Sequence, residues 1–485
     1  MTAQINSPTP AAVGVRTRWL GLSGLAIGVF MFTLDASIVN VALPTLVKTL
    51  HTTFTMVQWV VVAYLLVATA LVMAAARWGD RIGKKRAYVA GLAVFTAGSL
   101  LCGIAPSIGW LIAFRTLQGF GAVFVSALGA AIVGEMFPPQ ERGRAMGTIG
   151  SAVLLGVAMG PSIGGFIIEL AGWRWLFLVN IPVGVAAIVV VSRFVPAIAP
   201  QPSRHRFDWP GTILAGIMLS AFALGLIWGQ RDGFTELLVQ LLLALALVSF
   251  ILFVRVEIRS AGPLLDLALF RNARFANGLF TAGMMFLVLG GTGFLMPFFL
   301  EVIGGFTTAR VGMLLAISPV AGGLIAPFGG ALADRIGSRA VTLSGLTLIA
   351  LGCASFVTVD QHPSVLSYAL RVIPIGLGMG LFNAANNSSV LNAVAHRQLG
   401  QASALLSLVR TLGQTTGVPL IAAVFSVAAL GHVATGRPQA LLALPHDALL
   451  HGIHMAFAIA TLFVALSIAA ASIEIARRVV RAPRT

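Results

Sequence analysis

The chain reads as an all-α polytopic membrane protein of about fourteen helices, built as two related six-helix halves with two inserted helices between them. Three observations predict this. Of its 485 residues, 58% are hydrophobic and 9% charged, and the mean hydropathy is +0.96. No soluble core of this length needs so much apolar surface, so the expected solvent is lipid. The tetrapeptide Asp80-Arg81-Ile82-Gly83 returns unchanged as Asp334-Arg335-Ile336-Gly337, about 254 residues later. Each copy closes an apolar segment and opens a short basic turn, and duplicated halves are a common construction of large membrane proteins. Finally, the basic residues alternate in density from loop to loop, as they do when a chain is threaded repeatedly through a bilayer.

The elements follow in order. Residues 1–15 are polar and read as a tail. Span one, about 19–43, is too long for the apolar core of a cleavable signal peptide. Span two, about 57–78, runs into the first basic turn, and span three, about 88–105, holds Cys102. Span four, about 110–136, is entered past Arg115 and carries Gly119 and Gly121. Span five, about 146–170, carries Gly156, Gly160, Pro161, Gly164 and Gly165, and span six, about 176–195, completes a first half at 16–200. The polar turn Gln201-Pro202-Ser203-Arg204-His205-Arg206-Phe207-Asp208 leads into spans seven and eight, about 209–228 and 237–256, which make up the inserted pair of 201–260. Pro263-Leu264-Leu265-Asp266-Leu267-Ala268-Leu269-Phe270-Arg271 is short and amphipathic, and is expected at the membrane interface. Spans nine to fourteen, about 278–300, 311–333, 341–359, 366–390, 404–430 and 453–475, fill a second half at 261–476, with a basic tail at 477–485. Arg371, Gly376 and Gly378 in span twelve echo span four, and Gly413 and Gly417 in span thirteen echo span five. The order is therefore six, two, six.

The net charge is +16, which by itself could suggest a nucleic-acid partner. Its distribution excludes that reading. Of the 31 Lys and Arg, twenty-three fall on the side of the termini. Lys48, Arg174, Arg231, Arg310 and Arg437 fall on the other side, and Arg115, Arg371 and Arg410 lie within spans. The bias places both termini in the cytoplasm of a cell (inner) membrane, and the basic excess is expected to touch anionic lipid. The two cysteines, Cys102 and Cys353, sit inside apolar segments and read as packing residues.

An ionisable side chain within a span is a functional-site hypothesis. Asp35 is the clearest acid of that kind, and Arg115 lies at a depth that permits contact with it. One reading has Asp35 take up a coupling proton while Arg115 tunes it; the competing reading is a fixed structural pair joining spans one and four. The glycines from Gly156 to Gly165 share a helical face at GxxxG-like spacing, and Pro161 weakens the backbone ladder. They are either a surface that bends and seals between bundles or ordinary close packing. Asp80 and Asp334 could brace a neighbouring helix N-terminus or a basic residue across a gate, with Arg81, Gly83, Arg86, Arg335 and Gly337 completing the two turns. An ordinary charged turn is the alternative.

The motifs together resemble those of the 14-span drug:proton antiporters of the major facilitator superfamily. The carriers of the resemblance are Ala76 to Arg86, where Ala76 replaces a usual glycine, and Leu34 to Pro44, where Ser37 replaces a commoner threonine. Gln58-Trp59-Val60 with Tyr64, Leu111 to Gly121, Gly156 to Gly165, and Trp173 to Pro182 complete it. The resemblance covers nearly the whole chain and implies the major facilitator fold, with alternating access around a central cavity. It implies export of small amphipathic toxic compounds (drugs, antibiotics, biocides) in exchange for protons, with the proton gradient as energy source and no cofactor. A dedicated exporter of one endogenous metabolite, lipid or siderophore is the alternative.

Candidate cavity residues are Asn40, Trp59, Tyr64, Gln118, Asn383, Asn387, Arg410 and Gln414. Phe280, Met284, Met285, Phe286 and Phe294 in span nine form either an adaptable apolar wall or a lipid-facing one. Few intramembrane acids accompany Asp35, which leans the substrate toward neutral, zwitterionic or monocationic compounds. No acid/base or nucleophile set for an enzyme is visible. Gly376-Leu377-Gly378-Met379-Gly380 lies mid-span with no strand before it, and the nearest approach to a Walker A sequence, at Gly83-Lys84, has Trp78 and Lys85 where Gly and Ser/Thr belong. ATP-driven transport is not expected. His451 and His454 have no third ligand for a metal. The chain is expected to work as a monomer, and its sequence defines no periplasmic adaptor.

Overall fold

The computed structural model describes residues 14–196, 209–259, 267–394, 399–432, 441 and 444–479. The polar turn at 201–208, most of the 1–15 and 477–485 tails, and residues 263–266 of the interfacial segment lie outside the described residues. The described chain is helical, with 14 helices long and apolar enough to cross a membrane, and it is a multi-pass membrane protein of the predicted all-α class.

Several helices outrun the apolar stretches that announced them. Span one is Val15–Thr49, 35 residues, or about 52 Å of helix, well beyond a bilayer core. Span two, Phe54–Ile82, opens on Thr53, whose side chain accepts from the amide of Met56 at 3.1 Å. Asn272 caps span nine in the same way, through the amide of Arg274 at 3.0 Å, and Ser364 caps span twelve through Ser367 at 3.0 Å. The repeated tetrapeptide has a backbone reason. Gly83 and Gly337 sit at φ 96° and 91°, a region that favours glycine, and each glycine separates two helices by a single residue. Span two thus passes directly into span three (Lys84–Gly103), and span ten (Thr308–Ile336) into span eleven (Ser338–Phe356).

Span four is Ile108–Met136 and span five Pro139–Ala171. Span six is broken into Trp175–Leu178 and Asn180–Phe194, so Asn180 stands at the start of its longer piece. Span nine, Ala273–Phe298, ends in a π-turn, Phe299–Ile303, just after Pro297. Where the sequence suggested a short amphipathic segment at the interface, the described part is a 3₁₀ turn, Leu267–Arg271. Spans seven, eight, twelve, thirteen and fourteen are Trp209–Asp232, Leu237–Arg259, Val365–Leu391, Leu399–His432 and His446–Val479.

The packing repeats. In the first half span one packs on five and six, span four on two and three, and three on six. In the second, nine packs on thirteen and fourteen, twelve on ten and eleven, and eleven on fourteen. The halves meet through five against ten and through two against thirteen, which are equivalent pairs. Span seven packs on spans two and thirteen, and span eight packs on seven, so the inserted pair flanks one seam.

The seams are closed at the end away from the termini. There Lys48 pairs with Glu301 at 2.8 Å, the Ala309 amide donates to Glu169 at 3.3 Å, and Phe54 packs edge-on against Phe294 and Phe298. One apolar cluster runs through both halves at this end, from Ile38 and Phe177 to Phe299 and Phe425. Towards the termini the core divides. Leu22, Tyr88 and Val133 belong to a cluster confined to the first half, while in the second half the shared cluster continues toward the termini through Phe275, Val390 and Ala402.

Candidate functional site

Asp35 and Arg115 meet. The Arg115 Nη1 donates to Asp35 Oδ2 at 2.6 Å, with the two side chains 2% and 0% exposed. The other carboxylate oxygen accepts from Gln118 Nε2 at 2.9 Å and from Asn180 Nδ2 at 2.8 Å. Both amides also reach Ser99 Oγ, at 2.7 and 3.4 Å. Four spans therefore converge on one acid: span one supplies it, three the hydroxyl, four the arginine and Gln118, and six Asn180. Close approach of spans three and four is possible because Gly98 lies against the Gln118 backbone, where a Cβ would sit 2.8 Å from its Cα.

The guanidinium has further partners. Its Nη1 donates to Gln118 Oε1 at 2.6 Å and its Nε to the Val60 carbonyl at 3.2 Å. The Tyr64 ring lies 4.2 Å from its carbon. A charge taken from water is tolerated only when paired and hydrogen-bonded, and this pair is both.

Two expectations are corrected here. Gln118 and Tyr64 were assigned to the substrate cavity, but they are 0% and 3% exposed and wrap the ion pair. The Gln118 amide points inward because the acid and arginine need partners more than a cavity needs a wall, while Tyr64 offers its ring face to the guanidinium and its buried hydroxyl has no hydrogen-bond partner among the described residues. Sequence reading missed Ser99 and Asn180. Nothing marks Ser99 among the apolar residues of span three, and Asn180 lay inside a recognised motif, Trp173 to Pro182, whose purpose was not assigned.

The glycines of span five lie against the same stretch of span one that bears Asp35. A Cβ at Gly156 would sit 2.9 Å from the Phe30 carbonyl, at Gly160 3.1 Å from the Ile38 nitrogen, and at Gly164 2.6 Å from Ile38 Cγ1. Ser37 Oγ donates to the Gly156 carbonyl at 3.0 Å. Gly165 and Pro161 turn instead to the other half. A Cβ at Gly165 would sit 2.6 Å from the Thr308 carbonyl, and one at Gly312 would abut the Pro161 carbonyl. Span five is thus a strap between the acid-bearing helix and the seam.

At the repeated turns, Lys84 lies between Asp80, at 2.9 Å, and Glu135. Asp80 therefore bonds within its own half in this conformation rather than across to the other. Arg81, Arg86, Arg335 and Gly337 are exposed and Gly83 is buried, while the side chain of Asp334 lies outside the described residues. In the second half Arg410 donates through Nη2 to Asn383 at 3.4 Å and to Asn387, and lies 5.1 Å from the Phe286 ring. Asn383, Asn387, Arg410 and Gln414 are half-buried, as are Asn40 and Trp59 in the first half. Among the described residues no cluster of His, Cys, Asp and Glu could hold a metal. His454 contacts the Val359 carbonyl at 2.9 Å instead.

The family model described as Major Facilitator Superfamily matches twice, over residues 25–305 and 278–484. The riboflavin transporter RibZ of Clostridioides difficile (strain 630) is 32% identical over 85% of this chain and 89% of its own length. The multidrug resistance protein Stp of Mycobacterium tuberculosis (strain CDC 1551 / Oshkosh) is 33% identical over 85% and 76%. Among solved structures, a bacterial homologue of the human lysosomal transporter Spinster, inward-facing and unoccupied, superposes with a TM-score of 0.64 at 17% identity, covering 94% of this chain and 97% of that one. A peptide transporter POT in complex with sulfate gives 0.66 at 15%, covering 93% and 94%. These likenesses carry the fold.

Proposed function

The chain belongs to the Major Facilitator Superfamily, and from that premise we propose that it is a proton-coupled antiporter exporting small amphipathic toxic compounds. Its family moves small solutes across membranes by secondary active transport and is not catalytic. The observation that carries the finer reading is the sealed Asp35–Arg115 pair, with a fully buried acid bonded to an arginine of another span at 2.6 Å. Similarity to multidrug resistance protein Stp and to multidrug transporter protein MdtP of Bacillus subtilis (strain 168) supports drug-like cargo.

The chemistry follows from the cage. A proton arriving from outside neutralises Asp35 and dissolves its charge pairing with Arg115. The guanidinium loses its counter-charge but keeps its hydrogen bonds to the Gln118 and Val60 oxygens. Span one is then free to shift against the glycines of span five, which pass the movement to span ten and the seam. Substrate leaves outward as the proton enters. Once the outer end closes and the proton is lost to the cytoplasm, the pair re-forms. The conformation described above, closed at the Lys48–Glu301 end and with Asp35 re-paired, fits a transporter that has released its proton and is open toward the termini. With both termini in the cytoplasm, as the charge bias supports, that opening faces the compartment from which cargo is drawn. The basic loops lie against anionic lipid and the working unit is a monomer.

Similarity to a riboflavin transporter favours a second reading, a carrier dedicated to a single metabolite. Inverted membrane vesicles carrying a pH-sensitive dye separate the two. A panel of dyes, biocides and antibiotics, with riboflavin included, is added to wild type and to Asp35→Asn. Collapse of the gradient by several unrelated compounds in wild type alone is the expected result. Collapse by riboflavin alone transfers the case to the dedicated exporter. An Asp35→Asn response equal to wild type refutes the proton role.

A further inference from the structure

The spans hold more arginine than acid. Arg115 is matched by Asp35. Arg371 is satisfied without an acid, since its Nε donates to the Ser355 carbonyl at 3.0 Å and its Nη1 to Ser367 through both the carbonyl, at 3.0 Å, and the hydroxyl. Arg410 differs from both. It forms no ion pair among the described residues, its only hydrogen-bond acceptors are the two amide oxygens of Asn383 and Asn387 on one helix, and its buried Nε has no partner. It stands roughly 17 Å of helix from Leu399, deep within span thirteen. An intramembrane arginine lacking both a counter-ion and a full set of acceptors is costly unless something completes it.

We propose that the missing partner is the cargo: the second half binds small amphipathic organic anions, with Arg410 taking a carboxylate or an equivalent planar anionic group. The site is built for that. The guanidinium fork matches a carboxylate in two-pronged geometry, and Asn383 and Asn387 both hold Nη2, leaving Nε without an acceptor. Phe286, held 5.1 Å from the guanidinium carbon, offers an apolar face to the rest of the molecule. Arg410, Phe286 and both asparagines are half-buried rather than sealed as the Asp35 cage is, so a ligand reaches the exposed part of the guanidinium, and donation from the covered Nε follows a shift of the side chain on binding. This revises the leaning toward neutral, zwitterionic or monocationic cargo, which weighed the scarcity of acids and not the unpaired arginine. It rests on the transporter reading of the chain, and it assigns substrate and proton to different halves: anion on Arg410, proton on Asp35.

The test uses full-length protein in lipid nanodiscs and three probes with one body and different heads: biphenyl-4-carboxylate, biphenyl-4-methanol and biphenyl-4-methylammonium. Binding is read by calorimetry and by the shift in thermal unfolding, up to millimolar concentrations. The carboxylate is expected to bind about tenfold or more tighter than the alcohol, and the ammonium weaker than either. Arg410→Gln is expected to erase the preference for the carboxylate while the alcohol binds as before, and Arg410→Lys to retain part of it. Should Arg410→Gln fail to fold, Arg410→Lys together with Asn387→Ala gives the same comparison, each lowering the carboxylate-to-alcohol ratio. No preference in wild type, or an unchanged preference in the Arg410 variants, overturns the inference. Asp35→Asn run alongside separates it from the proposed function. A preference that persists while proton-coupled transport proves absent sinks the antiporter reading alone, and coupled transport without the preference sinks this one alone.

Discussion

Replacing Asp35 by Asn keeps the size of the side chain and leaves an oxygen for the amides of Gln118 and Asn180, now 2.9 and 2.8 Å away. On the other side it is worse than neutral. The new amide turns a donor toward the Arg115 Nη1 that donated to Oδ2 at 2.6 Å, and it leaves a guanidinium 1% exposed without its counter-charge. Breaking a buried pair by removing one member typically costs about 3–5 kcal/mol, and Asp35→Asn is expected to lie in that range. Arg115→Gln should cost a similar amount, since it strands the carboxylate. The double variant removes both charges and should be less destabilised than the two singles added together, by up to about 3 kcal/mol. Unfolding free energies from sodium dodecyl sulfate titration in mixed micelles measure all four corners of the cycle. Additivity within about 0.5 kcal/mol would show that the two charges do not support each other and would refute the argument from the cage. The same proteins also divide the structural role from the proton role. The double variant has no titratable acid at the pair, so proton-coupled transport surviving in it would show the pair to be a strut.

Other consequences follow from the packing. Gly160→Val places a branched side chain against Ser37 and within 3.1 Å of the Ile38 nitrogen, so it should cost about 1–3 kcal/mol and weaken coupled transport. Gly150→Ala on the same helix meets nothing within 4 Å and should be neutral or stabilising by up to about 1 kcal/mol, as thermal unfolding of the pair would show. Lys48 and Glu301 close the end away from the termini at 2.8 Å, but the lysine is 64% exposed, so Lys48→Ala should change stability by no more than about 1 kcal/mol. Cysteines at both positions, bridged by a short reducible thiol reagent, should nonetheless stop transport until reduction, because the seam must open. The native Cys102 and Cys353 are 0% exposed and should not compete for the reagent. Transport that continues through the cross-link would place the moving seam elsewhere.

Membrane solvation explains how much was legible in the sequence. The hydrocarbon core imposes a length and an apolar composition on every crossing, so fourteen spans could be read from hydropathy. The repeat was informative because a glycine at positive φ and a basic turn are local requirements, met identically at Gly83 and Gly337. Asp35 and Arg115 were legible because a charge in an apolar run has few innocent explanations. What encloses them was not. Gln118 read as a cavity residue and turned out to be caged, while Ser99 and Asn180 attracted no notice, because a small polar group in a span shows its purpose only when the helices that pack beside it are known. Arg410 is the converse case. The sequence shows a third intramembrane arginine, but that Arg371 is satisfied by serine oxygens while Arg410 lacks a partner for Nε depends on contacts 16 to 27 residues apart in the chain. Composition and periodicity fixed which segments enter the membrane; only tertiary packing decided which polar groups cancel one another there and which one still needs a partner.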